Sequence, residues 1–376
     1  MGEKMKNSRL LWISVVVISL LSACGQAGHG GEVVSPSPPT ETEAAPPTAT
    51  ETAAAPPAAT EAPAEEPTLS RPIISAENSS RLEKAAFLDL PSSFIHTTAF
   101  SPDGRTLITA DRNGEVIFWE VGTWVERTRL VTPGELNTMS ISPDGEIIIT
   151  ASAAGEVKGW DLDGNNLFTF TYGGSVFDTA FSPAGRYVAV GGDNDTIMIL
   201  DIDAQEKVTD LTSDHQYITT VVFSPDGSLL LSGYEEPENV MKTWDTSTWQ
   251  ETLTFSHVTE RINYHDTVFS PHGEYLAIAS VQNAIKILDV NTWQVVKQFL
   301  GHTRGSYQLD FSPDGSLLAS ACDDMTLKLW EVETGRVLRT FNNQHEVGTV
   351  AFSPDGTLLA YGVWGEGVQI WQGVMH

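Results

Sequence analysis

Three residue types that together can cleave an acyl bond lie close along the chain at His302, Ser320 and Asp324. In a hydrolase the serine attacks, the histidine takes its proton and the aspartate orients the histidine, and geometry rather than chain order defines the set. His257, Glu260, His265 and Asp266 offer metal-ligand chemistry without a recognised ligand spacing. Asp161-Leu162-Asp163-Gly164-Asn165 opens like a calcium loop, but the bidentate glutamate such a loop needs further on is missing. The chain has no Walker loop, no glycine-rich dinucleotide fingerprint and no Gly-x-Ser-x-Gly elbow. No catalytic residue, metal site or cofactor is therefore expected. Cys322 ends the apolar run Leu317-Leu318-Ala319-Ser320-Ala321-Cys322 and reads as a packed small hydrophobe rather than a reactive thiol.

The charge balance excludes another class. Lys and Arg number 21 against 49 Asp and Glu, a formal net charge of −28 over 376 residues. Holding a phosphate backbone needs clustered cations, so nucleic acid is not an expected ligand. Residues 1–80 carry four basic and nine acidic side chains, which leaves 17 and 40, net −23, for residues 81–376. A partner with a basic patch is expected, with charge acting on encounter more than on affinity.

The N-terminus has the layout of an export signal: Lys4, Lys6 and Arg9, then the apolar run Leu10 to Leu21 broken only by Ser14 and Ser19. That run is too short to cross about 30 Å of hydrocarbon as a stable helix. It ends in Leu21-Ser22-Ala23-Cys24, which resembles the bacterial lipobox. The resemblance implies cleavage before Cys24, a thioether-linked diacylglycerol on its sulfur and acylation of the new amino terminus. Several acyl chains hold a protein firmly where one is marginal. The mature chain is thus expected on the extracytoplasmic face of a bacterial membrane, held by lipid alone. From residue 24 to 80 the composition narrows to Pro, Ala, Thr, Glu, Gly and Ser, too polar to offset the entropy of ordering. This segment reads as an extended, disordered tether. The expected division is signal peptide 1–23, lipidated linker 24–80 and folded domain 81–376.

The folded domain is a repeat. Phe100-Ser101-Pro102-Asp103-Gly104 recurs from Ile141, Phe181, Phe223, Phe269, Phe311 and Phe352, at spacings of 41, 40, 42, 46, 42 and 41. Nineteen residues after the leading position stand Trp119, Trp160, Leu200, Leu288, Trp330 and Trp371, most followed by an acidic residue; Trp244 lies at 21 because Tyr234 to Asn239 lengthens a loop. Each unit holds four short runs rich in β-branched and aromatic residues, separated by turn residues. Ser-Pro-Asp-Gly suits a type I turn that leaves through a glycine with positive φ. Such a unit cannot bury its own faces and must stack on its neighbours. With these landmarks the chain resembles the WD-repeat β-propeller family over about residues 82–376. The resemblance implies an all-β fold, a seven-bladed propeller of four-stranded antiparallel blades. The last copy lacks an outer strand, while Leu88 lies twelve residues before Phe100 as Phe299 lies twelve before Phe311. The segment Ala85 to Leu90 is therefore expected to complete the last blade and close the ring.

In this family a His, a Ser, an Asp and a Trp form a buried hydrogen-bond network, a role the resemblance assigns to His302, Ser320, Asp324 and Trp330. Other copies depart from it: Asn113 and Asn194 stand at the Asp position, and Ala154, Glu238, Gln282 and Gly365 replace it elsewhere. Strand alternation gathers the first-to-second and third-to-fourth turns of each blade on one face and the remaining loops on the other. The second face varies in length and chemistry, as recognition loops on a rigid scaffold do. Phe94, Tyr172, Tyr217, Tyr234, Glu235, Glu236, Glu238, His257, Arg261, Arg304 and Trp364 are the residues expected to form a partner-binding face there. The reading is a monomeric, noncatalytic platform for a protein partner. The alternatives are an envelope propeller with solute-binding or hydrolase activity, which needs polar groups converging on the channel, and a Tol-like envelope-assembly protein.

Overall fold

The computed structural model describes residues 71–376 other than 92, 237–238, 257–261, 281–282 and 375–376. The signal segment, Cys24 and most of the linker lie outside the described residues, as do Glu238, His257 and Arg261. Seven four-stranded antiparallel sheets follow one another along the chain. In blade one the strands, a to d from the centre outward, are Ile95–Phe100, Thr106–Asp111, Glu115–Glu120 and Glu126–Val131. Among the described residues the only helical element is the short 3-10 turn Ser79–Arg81.

Burial grades outward through each sheet, and the sequence says why. Strand b is almost continuously apolar and lies between two neighbouring blades; Leu317–Cys322 and Leu358–Val363 are buried at every position. Strand d faces solvent and keeps one apolar anchor toward the core: Gln250–Phe255 is exposed except at Phe255. The corresponding anchors Leu130, Leu211, Phe299 and Phe341 are all buried.

Blade seven consists of Val347–Phe352, Leu358–Val363, Gly367–Gln372 and the N-terminal strand Glu83–Asp89. The N-terminal strand pairs antiparallel to Gly367–Gln372 with Leu88 opposite Val368. Leu88 and Leu90 pack with Ile95, Phe100 and Leu107 of blade one, so the closure joins the two ends of the ring.

The turns between strands a and b add a second closure. Ser101 Oγ donates to Asp103 Oδ1 at 2.6 Å, accepts from the Thr106 amide at 2.9 Å, and Gly104 has φ of 70°. Each glycine also meets the proline of the preceding blade's turn. A Cβ on Gly145 would lie 3.0 Å from Pro102 Cδ, and the same contact runs from Gly104 to Pro354 across the ring junction at 3.9 Å.

The linker boundary at residue 80 needs correction, because residues 71–80 are packed. The Ile74 amide donates to the Gly356 carbonyl at 2.8 Å and the Ile74 side chain is fully buried. Asn78 accepts from the Ser75 amide at 2.9 Å and donates to the Ile73 carbonyl at 2.8 Å, and Arg339 Nη1 donates to the Ser79 and Leu82 carbonyls at 3.2 and 2.9 Å. Two widely spaced apolar residues, Ile74 and Leu82, carry too little periodicity to mark such a segment, which side-chain-to-backbone bonds hold instead. The described chain thus enters the propeller beside the a–b turn of blade seven.

A register shift recurs where each inner strand pairs with strand b, between Ile95 and Thr97, Leu136 and Thr138, Ser306 and Gln308, and Val347 and Thr349, for example. The residue inside each shift, His96, Asn137, Tyr307 or Gly348, leaves the ladder. Bulges re-aim side chains in this way, and here Asn137 reaches Ser175 and Val176 of the next blade while Tyr307 and His96 reach Trp364.

Candidate functional site

Blade six contains the connectivity of a catalytic triad in a place no substrate can reach. His302 Nε2 lies 2.6 Å from Ser320 Oγ and His302 Nδ1 lies 2.9 Å from Asp324 Oδ2. Ser320 Oγ also accepts from Trp330 Nε1 at 2.8 Å, and both Ser320 and Trp330 are 0% exposed. Burial alone would raise the Asp324 carboxyl, but hydrogen bonds from His302, Thr326 and the Thr303 amide outweigh it and hold it below the ordinary range. Cys322 brings its sulfur near His302 and Asp324. The set does not fit a metal: both imidazole nitrogens are engaged, and the thiol donates to the Arg304 and Gly305 carbonyls at 3.3 and 3.1 Å. Burial also pushes that thiol far above its ordinary value, so it is inert as a nucleophile.

Two residues expected at the partner face belong instead to equivalent buried networks. Tyr172 is 8% exposed and donates to the Asn194 side chain at 2.5 Å; it precedes Phe181 by nine residues, as His302 precedes Phe311. Tyr234 is 0% exposed and its phenol accepts from Ser232 Oγ at 3.2 Å, while Ser232 Oγ accepts from Trp244 Nε1 at 2.9 Å. Burial pushes the Tyr234 phenol up to about 12. In blade seven Tyr361 lies 3.1 Å from Gln369 Oε1, and Gln369 Nε2 donates to Asn343 Oδ1 at 3.0 Å. Blades lacking the full His–Ser–Asp–Trp set therefore reach internal satisfaction with other side chains. A tyrosine suits the role because its ring fills the apolar space and its hydroxyl finds the polar partner. The landmark register carried the signal for Tyr172.

The central channel, about 360 Å³, holds polar side chains that its small and apolar neighbours masked in sequence. Asp178 accepts from the Val221 amide at 2.9 Å, Gln308 from the Val350 amide at 3.0 Å and Asp310 from the Phe352 amide at 2.7 Å. Each bond crosses from one inner strand to the next blade's. Burial raises Asp310 to about 7 against the opposing effect of the Phe352 amide. These groups lace neighbouring blades together while lining the channel.

The rim opposite the a–b turns presents a different surface. Trp364, in the b–c loop of blade seven, sits 4.9 Å from Tyr307 and 5.6 Å from Phe94, ring centre to ring centre. His96 is 6.3 Å from the same indole. Phe94 is 47% exposed, and Trp364, Tyr307 and His96 are half-buried. Beside them Arg304 pairs with Asp323 at 3.2 Å, and the Tyr307 hydroxyl donates to Glu346 at 3.3 Å. The structure thus brings Phe94 and Trp364 into one patch, with Arg304 alongside, and adds Tyr307, His96, Asp323 and Glu346, which sequence reasoning did not single out. Tyr217, with φ of 55°, and Glu235 are half-buried in blade four; Glu236 closes strand b there. The candidate calcium segment closes on itself, the Asp161 carboxylate accepting from the Asp163 and Asn165 amides at 3.0 and 2.8 Å.

A closed ring of four-stranded blades with buried His–Ser–Trp and Tyr–Ser–Trp networks defines a WD-type propeller. The family described as "WD domain, G-beta repeat" matches residues 86–120, 127–161, 164–201, 206–245, 293–331 and 335–372, and the chain belongs to that family. The first three strands of blade five, Ile262–Phe269, Tyr275–Ser280 and Ala284–Asp289, fall between two of these matches, yet they form the same four-stranded sheet with Gln294–Leu300. The WD repeat-containing protein SL1-17 of Schistosoma mansoni is 28% identical over 139 residues, 36% of this chain and 44% of that protein. The chain thus spans less than half the length of this curated relative. WD-repeat propellers are typically platforms for protein interaction and are generally noncatalytic.

Proposed function

We propose that the protein is a lipid-anchored, extracytoplasmic propeller that holds a protein partner on the face opposite its a–b turns. The observation that carries this reading is the contrast between the polar groups inside the ring and those on its rim. His302, Ser320, Asp324, Asp178, Gln308 and Asp310 are all bonded within or between blades. Trp364, Phe94 and Arg304 instead sit at loops with surface still open, and aromatic and arginine side chains are those most often dominant in interfaces. Entry of the chain beside Gly356, on the other face, leaves this rim unobstructed by the described part of the N-terminal segment. The lipobox-like Leu21-Ser22-Ala23-Cys24 supports the anchor.

Crosslinking capture from intact cells tests the platform. The parent and the triple variant Phe94→Ser, Tyr217→Ser, Arg304→Ser are compared after their melting temperatures are matched. Loss of captured proteins from the folded variant is expected; the same proteins on both would place the binding surface elsewhere. For the anchor, Cys24→Ser should move the protein from the membrane fraction to the soluble one, and retention would exclude Cys24 as the attachment point.

A further inference from the structure

The rim where blades six, seven and one meet has a chemistry more specific than a general contact surface. Gly348 occupies the bulged position that bears Tyr307 in blade six and His96 in blade one. A Cβ there would lie 2.1 Å from Trp364 Nε1, so the missing side chain is what lets the indole lie across the start of the inner strand. The indole N–H donates to the Ile95 carbonyl at 3.3 Å, which ties the ring to blade one. Tyr307 and Trp364 are inclined at 34°, and Phe94 meets the indole at 71°. Three rings from three blades therefore hold one another in place while keeping surface open to solvent.

The same patch holds two neighbouring carboxyl groups, Glu346 and Asp323. The Trp364 amide donates to the Glu346 carbonyl at 2.9 Å and the Tyr307 hydroxyl to the Glu346 carboxylate at 3.3 Å, which fixes that carboxylate beside the rings. Asp323 lies next to it and pairs with Arg304 at 3.2 Å. Desolvation, together with the hydrogen bond and negative charge of Asp323, raises the Glu346 carboxyl to about 7. A second cation placed against the rings would relieve that unfavourable pairing of carboxylates. An arginine fits better than a lysine. Its guanidinium is planar and weakly hydrated, so it can stack on an aromatic face while its edge donates to a carboxylate, whereas an ammonium keeps its water more tightly.

We propose that Trp364, Tyr307, Phe94 and Glu346 form a recognition site for an arginine side chain of the protein partner, its guanidinium stacked on the rings and bonded to Glu346. The assignment rests on the platform reading and specifies what the platform reads. Direct binding of defined peptides tests it. The full chain in detergent is titrated, by fluorescence polarisation, against a fluorescein-labelled Gly-Ala-Arg-Ala-Gly peptide and its counterparts with citrulline or lysine in place of arginine. The arginine peptide should bind saturably, and the neutral citrulline peptide, of nearly the same shape, at least about tenfold more weakly. Trp364→Leu and Glu346→Gln should each weaken the arginine peptide by about tenfold. Glu346→Gln replaces a partly exposed carboxylate by its isostere and should melt with the parent, which keeps the test valid if the tryptophan variant misfolds.

Equal binding of the arginine and citrulline peptides, no saturable binding of either, or parent-like affinity in Glu346→Gln would overturn the assignment. Equal binding of lysine and arginine peptides would replace it by a general cation site. Cellular capture separates this failure from that of the platform: partners lost from the triple rim variant but retained by Glu346→Gln leave the platform standing and remove the arginine site.

Discussion

At the scale of single residues, one geometry is put to a use other than the one its chemistry suggests. Ser320, His302 and Asp324 are linked as nucleophile, base and orienting acid would be, and the difference from an enzyme lies in Trp330, which donates to the serine oxygen and seals it from solvent. Asp310 shows a comparable diversion, a carboxylate on the channel wall that serves as an acceptor for the next blade. Its folded-state value, raised to about 7, lies above the ordinary carboxylate value of 3.8. The folded protein therefore holds a proton that the unfolded chain has released between those values. Stability from this group is greatest at low pH and declines as pH rises from about 4 to about 7. Asp310→Asn keeps a carbonyl oxygen for the Phe352 amide and has no charge to desolvate. Between pH 5 and pH 8 the variant should gain about 1 to 2 kcal/mol on the parent, a figure reduced from the full shift because the side chain borders the channel. Urea midpoints at the two pH values measure it, and a constant difference between the proteins would remove Asp310 as the source.

At the scale of elements, the Phe-Ser-Pro-Asp-Gly turn and the Trp landmark located the blades because turn chemistry and apolar runs sit at fixed distances in the chain. Strand closure was legible for the same reason, from one leucine at the right distance. Deleting residues 82–92 should expose Val368 and Ile370 and remove Leu88 and Leu90, two buried leucines worth about 1.5 to 3 kcal/mol each. A sharply lower melting temperature is expected, and an unchanged one would mean that the ring does not depend on this strand. The Pro–Gly contact between adjacent turns was not legible, since a turn motif read alone gives no hint of the neighbouring blade. Gly145 combines φ of 78° with a Cβ distance of 3.0 Å to Pro102 Cδ, so Gly145→Ala should cost about 1 to 2 kcal/mol. Gly185, with the same φ of 78° but a Cβ distance of 3.6 Å to Pro143 Cδ, provides the comparison: its alanine variant strains the backbone equally at ordinary van der Waals contact. An equal loss at both positions would show that the contact contributes nothing. The rim residues were hidden for a different reason: a bulge breaks the alternation by which inward and outward positions are read, so Tyr307 and His96 gave no sign that they reach one surface. Tyr172 and Tyr234 erred the other way, because an amphipathic side chain is as suited to a buried network as to an interface.

At the scale of the whole molecule, charge and scaffold act at different stages of association. The folded domain from residue 81 onward carries net −23, while rim pairs such as Arg304 with Asp323 occupy only a small part of its surface. A field of this size draws a basic partner during encounter, and its reach shortens from about 30 Å at 0.01 M salt to about 10 Å at 0.1 M. Once docked, the contacts around Trp364 and Glu346 depend little on that field, because apolar burial is not screened by salt and a close, partly buried charge pair is screened much less than exposed charges. Raising ionic strength from about 0.02 to 0.3 M should therefore slow association about tenfold or more and leave dissociation nearly unchanged. Stopped-flow mixing with a captured partner resolves the two rates. If the association rate holds constant across that range, the acidity of the domain plays no part in finding the partner; if dissociation instead accelerates by the same factor, ion pairs rather than the rings hold the complex together.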